Sequence, residues 1–260
     1  MPRVAALRPV PAASGRAALS PGLAGLLSLV LPSLCVACGS PRRGFGGGGA
    51  CTACWRSVAA PEPGSCFLCA LPSEGSPCPA CRRSPPPVSA AAAAGAYEGT
   101  LRRLVRSFKF EGHDILAPHF AERMARAARE SGVAEGVDTL CAIPSTRARN
   151  RERGYDPGPL LALETARLLR LPFASLLART RATVPQSSLP AAARHANVAG
   201  AFTAPGRARG RILLLVDDVM TTGATAFEAA ASLRAAGAAS VRLLVLARTP
   251  QLCHALPEAS

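Results

Sequence analysis

The chain has 260 residues, of which 49% are hydrophobic and 18% charged, so it can bury a core and wholesale disorder is excluded. No apolar run reaches the roughly 18–20 residues that a membrane-spanning helix needs, so we expect no membrane span. The net charge is +14, and of the 30 basic residues only Lys109 is a lysine. Such an arginine bias, beside much Ala, Gly and Pro, reflects genome composition in part and does not by itself identify a nucleic-acid partner.

Residues 1–30 are predicted to form a disordered and then apolar N-terminal segment. The first 21 residues are rich in Ala, Pro and Arg, and residues 22–31 form a short apolar run. A run of this length is also typical of a secretory signal peptide. We favour a helix that packs on the next module, because the cysteine chemistry described next suits a reducing cytosol. A cytoplasmic location is therefore expected.

Eight of the ten cysteines form four C-x-x-C pairs within residues 35–81. Two such turns can offer four sulfurs to one zinc ion, so eight cysteines predict two four-cysteine sites. Four thiolate ligands leave no open position, which favours a structural role over a catalytic one. The predicted ligands are Cys35, Cys38, Cys51, Cys54, Cys66, Cys69, Cys78 and Cys81.

The pairing of these cysteines is open at this point. The simplest arrangement joins the first pair with the second and the third with the fourth, as two short zinc ribbons. A cross-braced arrangement, first with third and second with fourth, is the alternative. Disulfides would require a secreted chain. We predict a double zinc ribbon over residues 31–84.

A change in sequence pattern follows the cysteines. Residues 85–94 are rich in Pro and Ala and are predicted to be a linker, with a second domain over residues 95–250 and a tail over residues 251–260. Helices are predicted at 101–110, 115–129, 158–171 and 223–236, and strands at 137–143, 211–216 and 241–247. This alternation predicts an α/β domain with a parallel sheet and helices on both faces.

Residues 211–225 (RILLLVDDVMTTGAT) carry the clearest chemistry. An apolar strand leads into Asp217 and Asp218, and a loop of hydroxyls and glycine precedes the next helix. Ligands of such sheets bind at the carboxyl ends of the strands, and a helix N-terminus suits a phosphate. The two carboxylates suit sugar hydroxyls, directly or through Mg²⁺. The pattern therefore predicts a sugar phosphate as ligand.

The same stretch resembles the phosphoribosyl-diphosphate (PRPP) motif of type I phosphoribosyltransferases. The resemblance implies that Asp217 and Asp218 hold the ribose hydroxyls, that residues 220–225 surround the 5′-phosphate, and that Mg²⁺ accompanies PRPP. The residues assigned to PRPP in this way are Asp217, Asp218, Val219, Met220, Thr221, Thr222, Gly223, Ala224 and Thr225.

Diphosphate contacts are expected from two other segments. In such folds the loop after the first strand meets the diphosphate, which here points to Ser145, Thr146 and Arg147. The arginines of residues 147–153 could equally form a solvated basic loop or bind a nucleic-acid backbone. Residues 179–202 are expected to form a hood over the site, with Gln186 and Arg194 as candidates and ordinary loop polarity as the alternative.

The whole chain resembles the ComF family, in which a double zinc ribbon precedes a phosphoribosyltransferase-like domain. The resemblance covers roughly residues 30–250. The motifs that carry it, besides the PRPP motif and the cysteines, are residues 97–99 (YEG), 108–112 (FKFEG), 151–155 (RERGY), 179–183 (RTRAT), 194–198 (RHANV) and 201–202 (AF). One departure is Asp156-Pro157, where the family usually has Asn-Gln.

The resemblance implies a PRPP-binding protein that handles internalised single-stranded DNA during natural competence. Its implied partners are PRPP, single-stranded DNA and helicase-type competence proteins. Two alternatives stay open, an active phosphoribosyltransferase with a nucleobase or related acceptor, and a PRPP sensor without turnover. No catalytic residue is assigned, because the acceptor is unknown.

Overall fold

A computed structural model describes residues 33–42, 48–59, 64–146, 154–181, 190, 193–204 and 206–250. Within these ranges the strands are β1 (Ser33–Leu34), β2 (Pro41–Arg42), β3 (Ala90–Ala93), β4 (Thr139–Ala142), β5 (Ala178–Arg179), β6 (Phe202–Thr203), β7 (Ile212–Met220) and β8 (Ser240–Arg248). The helices are α1 (Thr52–Arg56), α2 (Pro79–Arg83), α3 (Gly99–Phe110), α4 (Ala117–Glu130), α5 (Pro157–Leu169), α6 (Ala193–Val198) and α7 (Ala224–Ala235). Single 3₁₀ turns lie at Asp114–Leu116 and Gly206–Ala208.

The centre of the molecule is a four-stranded sheet in the order β3–β8–β7–β4. All three pairings are parallel, as the alternation of predicted helices and strands indicates. β7 and β8 are almost wholly buried, which is why both read as continuous apolar runs in the sequence. The predicted α/β class with a parallel sheet is confirmed.

Successive side chains of β7 enter different cores on the two faces of the sheet. Leu213 and Leu215 pack with the apolar side of α7, whereas Leu214 and Val216 pack with α3, α4 and α5. Because side chains of a strand alternate, each core needs its own helical layer. The sheet is therefore covered on both faces, as predicted.

The segment predicted as a linker, residues 85–94, contains edge strand β3. Ala90–Ala93 pairs in parallel with β8, with Ala91 opposite Leu243. Alanine has a low strand propensity, so a run of alanines between prolines resembles a linker in sequence. Here the small side chains let the chain that follows the cysteines lie directly on the sheet, and the prediction of a linker is wrong for these four residues.

Within the described ranges, no helix is long and apolar enough to cross a membrane. The predicted N-terminal segment, residues 1–30, and the predicted tail, residues 251–260, lie outside the described residues.

Candidate functional site

The eight predicted zinc ligands form two clusters. Within each cluster, the four Sγ atoms all lie within 4.8 Å of one another. The clusters are Cys35/Cys38/Cys51/Cys54 and Cys66/Cys69/Cys78/Cys81. The pairs thus close in chain order, and the cross-braced alternative is wrong.

The sulfur–sulfur distances match a zinc tetrahedron. A tetrahedral site with Zn–S bonds of about 2.3 Å has edges of about 3.8 Å between sulfurs. Sγ of Cys38 lies 3.9 Å from Sγ of Cys51, and Sγ of Cys69 lies 3.8 Å from Sγ of Cys78. A disulfide would need an Sγ–Sγ distance of about 2.05 Å, so neither pair is disulfide-bonded. The donor set and its spacing fit zinc.

The surroundings of the sulfurs also favour a bound cation. The backbone N–H of Cys51 donates to Sγ of Cys35 (3.2 Å), and that of Cys78 donates to Sγ of Cys66 (3.3 Å). Burial, with neighbouring thiols, raises the pKa of Cys69 to about 12 and that of Cys81 further still. Four buried thiolates are compatible with one another only when a cation balances their charge.

The two ribbons belong to the two different cores of the sheet domain. In the first ribbon, the Trp55 ring lies 5.0 Å from His119 and 5.6 Å from Phe120, both on α4. Arg123 of α4 donates to the carbonyls of Val58 (2.9 Å) and Ala59 (3.2 Å). The cysteines of the second ribbon lie instead in the core that contains α7. Each ribbon is thus part of the packing of one sheet face.

The acidic pair lies inside β7, near its carboxyl end, rather than after it. The sequence predicts a strand that ends at residue 216, but β7 continues to Met220, with Asp217 opposite Val245. The N–H of Asp218 donates to Oδ1 of Asp217 (2.9 Å), and the N–H of Val219 donates to Oδ1 of Asp218 (2.6 Å). These bonds and the strand pairing hold both carboxylates near the carboxyl ends of the strands, which is where ligands of α/β folds bind.

Each carboxylate has a cation near it. Nζ of Lys109, at the end of α3, lies 2.9 Å from Oδ1 of Asp218. Desolvation and the charge of Asp218 raise the pKa of Asp217 to about 7, while Lys109 and Arg179 act in the opposite direction. Arg179 itself lies over the Phe202 ring, 5.0 Å from its centroid. The site therefore combines hydrogen-bond acceptors with cations, as a sugar phosphate requires.

The loop after the acids has a backbone suited to close approach. Gly223 has φ of +87°, and a Cβ there would lie 2.5 Å from Phe227 Cε2 and 2.8 Å from Met220 Cε. The buried Thr222 hydroxyl accepts from the N–H of Ala224 at 3.4 Å, so the loop leads directly into α7. A helix of 12 residues thus begins beside the acidic pair, with its positive end towards the same end of the sheet.

The structure brings some of the other predicted site residues to this end of the sheet. Ser145 and Thr146 follow β4, which is the strand next to β7, and the N–H of Ser145 donates to Oδ2 of Asp156 (3.1 Å). Arg194 is half-buried on α6, which packs against α7. Arg147 and Gln186 lie outside the described residues. The contribution of these residues to a diphosphate site stays a prediction.

Three basic residues that lie near the site in the structure were not predicted as site residues from the sequence. Lys109 and Arg179 belong to family motifs, but nothing in their local pattern predicts that they approach residue 217 or 218. The Tyr155 hydroxyl donates to the Phe108 carbonyl and so helps to place the end of α3 that carries Lys109. Arg248, at the end of β8, is 2% exposed and donates to backbone carbonyls on either side of it. Nothing in the apolar sequence around Arg248 predicts that its side chain donates to distant backbone carbonyls.

Comparison with known families matches both parts of the chain. Residues 26–82 match the model of a double zinc ribbon domain, and residues 158–253 match that of a phosphoribosyl transferase domain. Among solved structures, an allosteric regulatory enzyme of purine biosynthesis is 23% identical, with a TM-score of 0.35, over 50% of this chain and 25% of that chain.

Known relatives match over most of their length. The DNA utilization protein YhgH of Escherichia coli K12 is 32% identical, over 85% of this chain and 99% of that protein. The competence protein F of Haemophilus influenzae is 27% identical, over 77% of this chain and 90% of that protein. With this coverage, and with a double zinc ribbon followed by a phosphoribosyl transferase domain, the chain belongs to the ComF family.

Proposed function

We propose that the chain binds PRPP with Mg²⁺ at the end of β7. This proposal rests on one observation: the acidic pair lies beside the start of α7, at the carboxyl end of the strands of the sheet. PRPP has vicinal hydroxyls that need acceptors and a 5′-phosphate that needs donors. Asp217 and Asp218 supply the acceptors, and the loop of residues 221–223 with the first turn of α7 supplies the donors.

The diphosphate of PRPP needs positive charge on the side of the acids away from the loop. Mg²⁺ supplies part of it when bound, since carboxylate and phosphate oxygens are the ligands it prefers. Arg179 supplies more from the chain, because it lies close enough to Asp217 to lower the pKa of that carboxyl. Lys109, bound to Asp218, keeps that carboxylate in place for a ribose hydroxyl.

Calorimetric titration with PRPP in Mg²⁺ tests the proposal. We expect saturable binding by the wild type and loss of at least about 100-fold in affinity in Asp217→Asn/Asp218→Asn, since a hydrogen bond to a charged group contributes about 1.5–3 kcal/mol. The control is Glu130→Gln/Glu135→Gln, which removes two exposed carboxylates before β4, at the opposite end of the strands. Absence of binding by a folded wild type that retains both zinc ions would refute the proposal.

We also propose that the chain acts on single-stranded DNA in DNA utilization or competence. The names of the relatives support this role. Helix α3 adds a physical reason, because Arg102, Arg103 and Arg106 are exposed on it. These arginines lie one to two turns before Lys109, so a nucleic-acid backbone along α3 would lead towards the PRPP site.

Fluorescence anisotropy of a labelled oligo-dT strand tests this second proposal. Affinity should fall steeply with salt, and Arg102→Gln/Arg106→Gln should reduce the slope of log K against log[salt] by about 1.4, or 0.7 per lost contact. The control is Arg126→Gln/Arg129→Gln on α4, whose side chains are bonded to Glu130 and to the Leu168 carbonyl. An equal slope in wild type and the α3 variant would contradict this role for α3. Release of diphosphate from PRPP in the presence of a nucleobase would instead indicate that the chain is an active phosphoribosyltransferase.

A further inference from the structure

Arg248 is the last residue of β8 and is among the largest fully buried side chains of the described chain. Its backbone is held by the segment that follows β3, since its N–H donates to Gly95 O (2.9 Å) and its carbonyl accepts from Tyr97 N–H (2.7 Å). Burial of a guanidinium is costly unless its donors are satisfied. The groups that satisfy this one are therefore held close to it.

Apart from the carbonyl of the adjacent Thr249, which lies 3.1 Å from Nη1, those groups come from two different parts of the molecule. Nε of Arg248 donates to the carbonyl of Cys69, a ligand of the second zinc site, at 3.0 Å. Nη1 donates to the carbonyl of Met220 at 3.2 Å and to that of Thr221, the first residue of the phosphate loop. One planar side chain thus contacts the second zinc ribbon and the loop proposed to bind phosphate.

Further contacts make this connection stiff. Thr249 N–H donates to the Met220 carbonyl (3.0 Å), and Ala91 N–H of edge strand β3 donates to the carbonyl of Phe67 (2.6 Å), which lies between the zinc ligands Cys66 and Cys69. The cysteines of this ribbon share one apolar core with Met220 and Phe227. Movement of the Cys69 turn would therefore displace the residues that surround Gly223.

The first ribbon provides the contrast. Arg123 donates to the carbonyls of Val58 and Ala59, and so holds that ribbon against α4 in a similar way. Its contacts lie in the other core, which does not include Met220 or Phe227. A similar arginine-to-carbonyl contact thus exists in the described chain without a connection to the phosphate loop.

We propose that Arg248 is a positioning residue that couples the second zinc site to the phosphate loop, so that filling of this site sets the affinity for PRPP. The inference rests on the proposed PRPP site. When the second site is filled, the Cys69 turn is fixed, Arg248 is fixed between its carbonyls, and residues 220–223 keep the geometry that receives a phosphate. Loss of the second zinc ion, or of the Arg248 guanidinium, removes these contacts and makes the loop of residues 220–223 more mobile.

Hydrogen–deuterium exchange and calorimetry test the coupling in Arg248→Lys and in Cys81→Ser, which removes a ligand of the second site. Arg123→Lys is the matched control, because it alters a ribbon contact of the same kind in the first ribbon. We expect exchange of the amides of residues 220–226 to be at least about tenfold faster in both test variants, and PRPP affinity to fall by at least about tenfold. Arg123→Lys should leave both quantities at the wild-type value. Metal analysis should give two zinc ions in both arginine variants and one in Cys81→Ser.

The outcomes separate this inference from the proposed function. Exchange of the loop is measured without PRPP, so it reports the coupling even if the wild type fails to bind PRPP, a result that would refute only the proposed site. Unchanged loop exchange in a folded Arg248→Lys would overturn the coupling. So would faster exchange that extends equally to β4 with PRPP affinity unchanged, because that pattern indicates a general loss of stability. If Arg248→Lys does not fold, the same comparison is made between Cys81→Ser and the wild type.

Discussion

At the scale of single residues, Gly223 joins the acidic pair to α7 through a left-handed backbone. Its φ of +87° and the close approach of Phe227 leave no room for a side chain. The same turn directs the chain so that the end of β7 and the start of α7 lie side by side. The chemistry of the site therefore depends on a residue that itself has no functional group.

We expect Gly223→Ala to weaken both folding and PRPP binding. The left-handed conformation costs an alanine about 1–2 kcal/mol, and the contact with Phe227 adds to this cost. Urea unfolding and PRPP calorimetry measure the two effects. Gly206→Ala is the control, since a Cβ there has no atom within 4 Å. Equal affinity in the Gly223 variant and the wild type would show that the loop geometry is not needed.

The raised pKa of Asp217 predicts the pH dependence of PRPP binding. A carboxyl with a pKa of about 7 is mostly protonated below that pH and cannot accept two hydrogen bonds as a carboxylate. Affinity should therefore be about tenfold weaker at pH 6 than at pH 8. The Asp217→Asn variant keeps only the pH dependence that comes from titration of the phosphate groups of PRPP. Its affinity should therefore change less between pH 6 and pH 8 than that of the wild type. In Lys109→Met the midpoint should move to higher pH, because Lys109 lowers this pKa. A pH profile identical in wild type and Asp217→Asn would contradict the assignment.

At the scale of elements, α4 and edge strand β3 are the supports of the two ribbons. Trp55 packs on α4, whereas the chain that follows the second ribbon forms β3 and pairs with β8. The four long helices could be predicted from their apolar pattern, and the buried strands from their continuous apolar runs. The short helices α1, α2 and α6 were not predicted. β3 could not be predicted, because its pairing with β8 joins residues about 150 positions apart and its alanines have no strand preference of their own.

Replacement of Trp55 should separate the first ribbon from α4. We expect Trp55→Ala to lower the free energy of unfolding by about 3 kcal/mol, the cost of removing a large packed ring. Circular dichroism in urea measures this change, and metal analysis should still find two zinc ions because no ligand is altered. Phe67→Ala, at an exposed ring of the second ribbon, should cost much less. Equal losses in the two variants would contradict the packing described for Trp55.

At the scale of the whole molecule, the ribbons and the sheet share two cores. The clustering of the zinc ligands could be predicted from spacing, because C-x-x-C turns act locally. The acidic pair could be predicted near the end of a strand, although β7 continues past it to Met220. Lys109, Arg179 and Arg248 could not, since their partners lie far along the chain and only the tertiary fold brings them together.

Removal of zinc should therefore destabilise the sheet as well as the ribbons. With a strong chelator and reductant, we expect loss of both ions and a fall of the melting temperature by more than about 10 °C, because zinc binding contributes directly to folding. Thermal melting followed by circular dichroism measures this, and added zinc should restore the original transition. An unchanged melting temperature after verified removal of both ions would show that the ribbons are not part of the cores.

The most direct test of the central claim is a crystal structure of the chain grown with PRPP and Mg²⁺. The account predicts the 5′-phosphate within hydrogen-bond distance of the backbone N–H groups of residues 221–225, and the ribose hydroxyls at Asp217 and Asp218. Density for PRPP at another surface, with these residues in their ligand-free arrangement, would contradict it.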